Sequence, residues 1–169
     1  MTITSERRRS PILVLGVAGA VVVMLAVVTV VIVAALTRGG GPADEFEQAA
    51  EQFNSQYEPL ARQLDSNMDR AGGGLMDAGL LTAQQDARAL GDLFDTYGEA
   101  LAAIEFPAEA EQAATQLANA IEAGKILMVN AAQFFAKGPM QSTLDNLQPE
   151  TEDLIAEREE ALRQALGSS

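Results

Sequence analysis

From Ile12 to Leu36 the chain runs for 25 residues without a charge, an Asn or a Gln, and Thr29 supplies the only hydroxyl. About 20 apolar residues cross a hydrocarbon core of roughly 30 Å, so this run predicts a transmembrane helix with room for some tilt. Arg7, Arg8 and Arg9 precede it, and only Arg38 follows closely. The positive-inside bias then puts the N-terminus in the cytoplasm and the chain beyond Arg38 outside. Val33-Ala34-Ala35 has the small residues of a cleavage site, but signal-peptide apolar cores run only about 7 to 15 residues, so an uncleaved signal-anchor is expected. The expected organisation is a short basic cytoplasmic tail (1–11), a signal-anchor helix (12–37), a glycine-rich linker (38–43) and an acidic extracytoplasmic domain (44–169). Nine Arg against two Lys, with abundant Ala, Gly and Val, is a usage typical of GC-rich genomes and points to a bacterial cell envelope.

The 126 residues from Asp44 to Ser169 suffice for one small domain with one core. Apolar residues there recur at alternating steps of three and four, the coiled-coil-like spacing of amphipathic helices whose stripes face one another. The first helix carries Phe46, Ala50, Phe53, Tyr57, Leu60 and Leu64 on one seam, with Pro59 inside it, where a kink or a break is expected. A second helix is predicted to open at Thr82, with Gln85 completing a capping box, and to carry Ala83, Ala87, Leu90, Phe94, Tyr97, Leu101 and Ile104. A third should begin in the turn after Pro107 and run to about Lys137, before Gly138 and Pro139. Its seam of Ala113, Leu117, Ala120, Gly124, Leu127, Ala131 and Phe134 is rich in small residues, which favours close helix packing. In the fourth stretch Pro149 followed by acidic residues reads as a fresh helix start, leaving Ser142 to Leu147 as a separate short turn. The expected fold is all-α: one transmembrane helix, then an antiparallel up-down-up-down four-helix bundle.

That topology brings the 71–81 connection and the end of the third helix to the same, distal tip. Ile126, Met128, Val129 and Phe135 are apolar beyond the third helix's seam, and the connection offers Leu75, Met76, Leu80 and Leu81. Either the connection caps the bundle and buries this surface, or these eight residues form a candidate interaction patch.

Several chemistries are closed off. The chain has no His and no Cys, which removes the common imidazole base, the thiol nucleophile, disulfides and the usual zinc and haem ligands. Neither a phosphate-binding nor a dinucleotide-binding glycine motif occurs, and the acidic clusters, including Asp92, Asp95 and Glu99 and the run from Glu157 to Glu160, read as solvated helix exteriors. No enzyme activity, metal or cofactor is expected. Outside the predicted span lie 23 acidic residues, all but Glu6, against 7 basic ones, all but Arg7, Arg8, Arg9 and Arg38, a balance of −16. Nucleic acid and anionic headgroups are therefore poor partners for this surface.

The sequence leads to a single-pass protein of the cell membrane whose external bundle binds another membrane or envelope component as an accessory or scaffolding subunit. The alternative is a module holding a small apolar or lipid-like molecule between its helices, with Tyr57, Tyr97 and the small residues of the third helix around it.

Overall fold

The computed structural model describes residues 40–72, 76–134 and 141–167, without the side chains of 71, 72, 76–78, 134, 141–143 and 145. The predicted span at 12–36 and the arginines before it lie outside the described residues; among those described, no helix is long and apolar enough to cross a membrane. The described residues form four helices and no strand: α1 (Pro42–Gly72), α2 (Met76–Ala102), α3 (Glu111–Phe134) and α4 (Gln141–Gly167).

Packing follows chain order, α1 on α2, α2 on α3 and α3 on α4, and α4 closes the ring on α1 through the narrowest of the four seams. Partner residues give the directions. Phe53 stacks on Tyr97 while Asn67 bonds Asp86, so α1 and α2 are antiparallel. Asp95 meets Lys125 while Gln84 bonds the Ala132 carbonyl, and Tyr57 meets Glu152 while Glu47 meets Arg163. The bundle is up-down-up-down.

The apolar periodicity explains most of the core. All seven seam residues of α2 are buried, from Ala83 to Ile104, the last lying in the turn just past the helix. In α1, Phe46, Ala50, Phe53, Tyr57 and Leu64 are buried as the spacing predicts, and Ala61 takes the position expected for Leu60. Pro42 opens α1 and Asp44 and Glu45 follow in its first turn, where proline needs no amide partner and carboxylates complement the helix dipole.

Helix boundaries depart from expectation at three places. α2 begins at Met76, before the Thr82–Gln85 pair, because no proline separates 76 from 82 and the helix extends upstream through Gly79. α3 begins at Glu111, later than expected: residues 107–110 form a turn in which the Ala110 amide donates to the Pro107 carbonyl at 2.8 Å. Pro107 initiates that turn, not the helix. Its predicted end at Lys137 lies outside the described residues. α4 is one helix from Gln141 to Gly167 and passes through Pro149 without a restart, as α1 passes through Pro59. Leu144 and Gln148 before Pro149, and Ile155 and Leu162 after it, are buried on one face, so packing on both sides holds the helix together. A mid-helix proline costs about 3 kcal/mol. Both prolines here are exposed, which leaves the carbonyl freed in the preceding turn on the solvent side.

At mid-height three helices meet around Phe94. Its ring is 1% exposed, lies 5.3 Å from the Phe53 ring and 5.6 Å from that of Tyr57, and fills the space left by Gly124 of α3. A Cβ on Gly124 would sit 2.9 Å from two Phe94 ring carbons. By contrast, a Cβ on Gly91 would meet Val129 at 3.6 Å, an ordinary contact. Helix propensity favours Ala over Gly by about 1 kcal/mol, and overpacking a core costs about 1–3 kcal/mol. Urea unfolding should therefore show Gly91→Ala stabilised by up to about 1 kcal/mol and Gly124→Ala destabilised by about 1 kcal/mol net. Equal stabilisation of both variants would refute the close approach of Phe94 to α3.

Candidate functional site

α4 contributes only Leu144, Ile155 and Leu162 as large buried apolar anchors, against Leu90, Leu93, Phe94, Tyr97, Leu101 and Ile104 from α2 and its end. α3 also buries three large apolar side chains, Leu117, Ile121 and Met128, but adds Ala120, Ala131 and Ala132, so among the described residues α4 has the fewest buried apolar side chains. Its remaining attachment is polar. The Tyr57 hydroxyl donates to Glu152 at 2.7 Å, and Gln148 donates to the same carboxylate at 3.1 Å. One level lower, the Tyr97 hydroxyl donates to Glu159 at 2.8 Å; Arg163 donates to Glu159 at 3.5 Å and to Glu47 at 2.8 Å, and its guanidinium lies 5.5 Å from the centroid of Phe46.

Glu159 is 4% exposed. This corrects the expectation that the Glu157–Glu160 run is wholly solvated: Glu157 and Glu160 are exposed, but Glu159 falls on the face of α4 that continues Ile155 and Leu162. A charged residue one turn from two apolar anchors was the available signal, and the neighbouring exposed acids hid it. Burial, then the hydrogen bond and charge of Glu152, push the Tyr57 phenol well above its ordinary value; burial, then the charge and hydrogen bond of Glu159, do the same to Tyr97. Both hydroxyls therefore stay protonated donors throughout the physiological range. Truncating Glu159 leaves Tyr97 and part of Arg163 without their acceptor in the interior. Glu159→Ala should cost about 2–4 kcal/mol in urea unfolding and Glu159→Gln, which keeps an acceptor for Tyr97, clearly less. Equal losses in the two variants would show that the Tyr97 bond contributes little.

A groove of about 320 Å³ lies along the α1–α4 seam. Phe53, Tyr57, Ile155 and Ala156 supply its apolar lining, and Glu58, Glu152, Asp153 and Glu159, with Asn54, its polar one. Pro59 and Pro149 face each other across this seam: since Tyr57 pairs with Glu152 and Glu47 with Arg163, Pro59 lies opposite Glu150, within about 2 Å of the level of Pro149. A wider, open trough of about 570 Å³ lies at the α2–α3 corner against Gly98, Ala102, Phe106, Ala114 and Ala118.

A second buried carboxylate, Asp86, sits between α1 and α2, where it accepts from Gln63 at 2.7 Å and from Asn67 at 2.6 Å. It stands about 16 Å along the α2 axis from Tyr97 and the Glu159 network, so the two buried acids do not form a catalytic pair. Burial raises the Asp86 pKa, and the amide hydrogen bonds only partly oppose it. A carboxyl whose folded pKa is raised contributes stability below its unfolded pKa of about 4 and loses it as pH rises through the folded value. In urea unfolding at pH 7 and again near pH 4, the wild type should therefore gain stability relative to Asp86→Asn on acidification. A relative loss would reverse the assigned direction.

The predicted interaction patch is only partly assembled. Leu75 and Phe135 lie outside the described residues, and the side chain of Met76 is not described. Met128 is 1% exposed and belongs to the core, a correction to its place in the patch: it continues the face of Leu117, Ile121 and Gly124. Ile126 at 52%, Val129 at 41% and Leu81 at 61% are exposed, and Leu80 is half-buried. The pairing of Gln84 with Ala132 puts Leu81 beyond α3 residue 132, at the tip, about 10 Å along the axis from Val129. The four charged residues that sequence places on the outer face of α2, Arg88, Asp92, Asp95 and Glu99, are exposed as expected. No group of acidic side chains arranged to hold a metal ion occurs among the described residues. No family model, curated protein sequence or solved structure matches the chain.

Proposed function

We propose that this protein is a single-pass, membrane-anchored accessory or scaffolding subunit whose extracytoplasmic helical bundle binds another membrane or envelope component. The anchor and its orientation rest on Ile12 to Leu36 and on Arg7, Arg8 and Arg9. The observation that carries the partner-binding part is the exposure of Ile126 and Val129 on α3, with Leu81 near the tip, in a bundle whose α3–α2 contact is otherwise closed by Phe94 on Gly124. Large aliphatic side chains left out of such a core offer a binding surface that does not require the bundle to open.

The alternative, a small apolar or lipid-like ligand held between the helices, has less support. Tyr97 and Gly124 stand in packed core, where Phe94 occupies the space such a ligand would need, and the groove that Tyr57 lines is walled by carboxylates, which disfavour a neutral apolar ligand. No catalytic role is proposed for the buried acids.

Affinity purification of the full-length tagged chain from its native membrane in mild detergent, with a version lacking residues 44–169 as control, tests the proposal. A stoichiometric protein partner should be recovered with the full chain, absent from the truncated one, and depleted by Ile126→Glu combined with Val129→Glu. Being exposed, these substitutions should change unfolding free energy by no more than about 0.5 kcal/mol each. A partner retained at full yield by the folded double variant would remove this face from the reading.

A further inference from the structure

We propose that the α1–α4 groove is a binding site for an organic cation with an apolar body. The proposal does not depend on the membrane-partner reading above. The groove's shape follows from the fold: α4 meets α1 through the narrowest seam, and with only Leu144, Ile155 and Leu162 of α4 buried among its described large apolar side chains, the two helices leave about 320 Å³ between residues 53–58 and 152–159. That volume is at the small end of the range for ligand sites.

Its lining selects the ligand. Phe53 and Tyr57 present aromatic carbon, their rings stacked at 5.3 Å, with Ile155 and Ala156 opposite on α4. Glu58, Glu152, Asp153 and Glu159 add four carboxylates, and no Lys or Arg lines the groove. Arg163 compensates Glu159 from outside it, and Glu58 shares an exposed pair with Arg62 at 3.4 Å. Glu152 and Asp153 form no ion pair among the described residues.

An anion is repelled by this lining, and a neutral chain would desolvate carboxylates without compensation. A small hard cation needs oxygens converging on one point, and these are spread along two helices. An organic cation satisfies both parts: its charge meets Glu152 and Asp153, and its body lies against the apolar lining between them. Glu152 is already oriented by the hydroxyl of Tyr57 and the amide of Gln148, so binding does not have to order it.

Benzyltrimethylammonium titrated into the unaltered full-length protein in detergent should give a saturable binding heat in calorimetry, and benzoate should not. Adding Glu152→Gln and Asp153→Asn, which keep the acceptor for Tyr57, should weaken binding at least about tenfold; Asp95→Asn, a carboxylate on the outer face of α2, should leave it unchanged. Thermal unfolding of each variant confirms that the bundle is intact. N-acetylarginine methylamide identifies the source of the cation: weaker binding than the ammonium assigns a free ligand, tighter binding an arginine side chain of a partner. No saturable heat at millimolar probe, or equal binding by the Glu152/Asp153 variant and the wild type, overturns the proposal.

Discussion

The contact of the Phe94 ring with the bare backbone of Gly124 sets the spacing of α2 and α3, and the arrangement of the aromatic side chains follows from it. With Phe94 held against α3, Phe53 and Tyr57 of α1 pack on its other side, and Phe53 stacks on Tyr97 at 4.5 Å. The two tyrosines of this cluster then direct their hydroxyls to α4. Apolar packing therefore joins the first three helices, and phenol-to-carboxylate hydrogen bonds add to the few apolar anchors, Leu144, Ile155 and Leu162, that attach the fourth. Such bonds, to a charged acceptor and partly out of water, contribute about 1.5–3 kcal/mol each, comparable to one buried leucine. They also fix register, because a one-turn slip of α4 would leave both carboxylates without their donors.

This division of labour explains what could be read from sequence. The four helices, their order and the seams of α1 and α2 follow from steps of three and four, because burial of a single face produces that period. Pro149 misled: a local rule gives proline a cost of about 3 kcal/mol, and the buried residues on either side, Gln148 and Ile155, outweigh it, while α1 continues through Pro59 with Tyr57 and Leu64 buried around it. Pro107 marked a boundary correctly but at the wrong end of a turn.

The α1–α4 site was scarcely legible, for a physical reason. Glu159 and Asp86 are buried because partners from other helices satisfy them, Tyr97 in one case, helped by Arg163 one turn along α4, and Gln63 and Asn67 in the other, 62 and 23 to 19 positions away along the chain. Periodicity reports how one helix meets an average neighbour; it carries no information about which residue stands opposite. Ile126 and Val129 could be recognised as outside the seam, and they are exposed. Met128 could not be separated from them without the handedness of the α3 packing.

The two prolines give the bundle an internal boundary. Lying nearly level on adjacent helices, they interrupt the hydrogen-bond ladders of α1 and α4 at one height. Below that height lies the aromatic cluster with the Arg163 network; above it lie Leu64, Met68, Leu144 and the Asp86 triad. Cooperative unfolding units form where contacts within a region outnumber those that cross it, and a missing rung on two of four helices lowers the cost of separating the halves. The upper half, which carries Leu81, is thus joined to the aromatic half by uninterrupted backbone ladders only in α2 and α3.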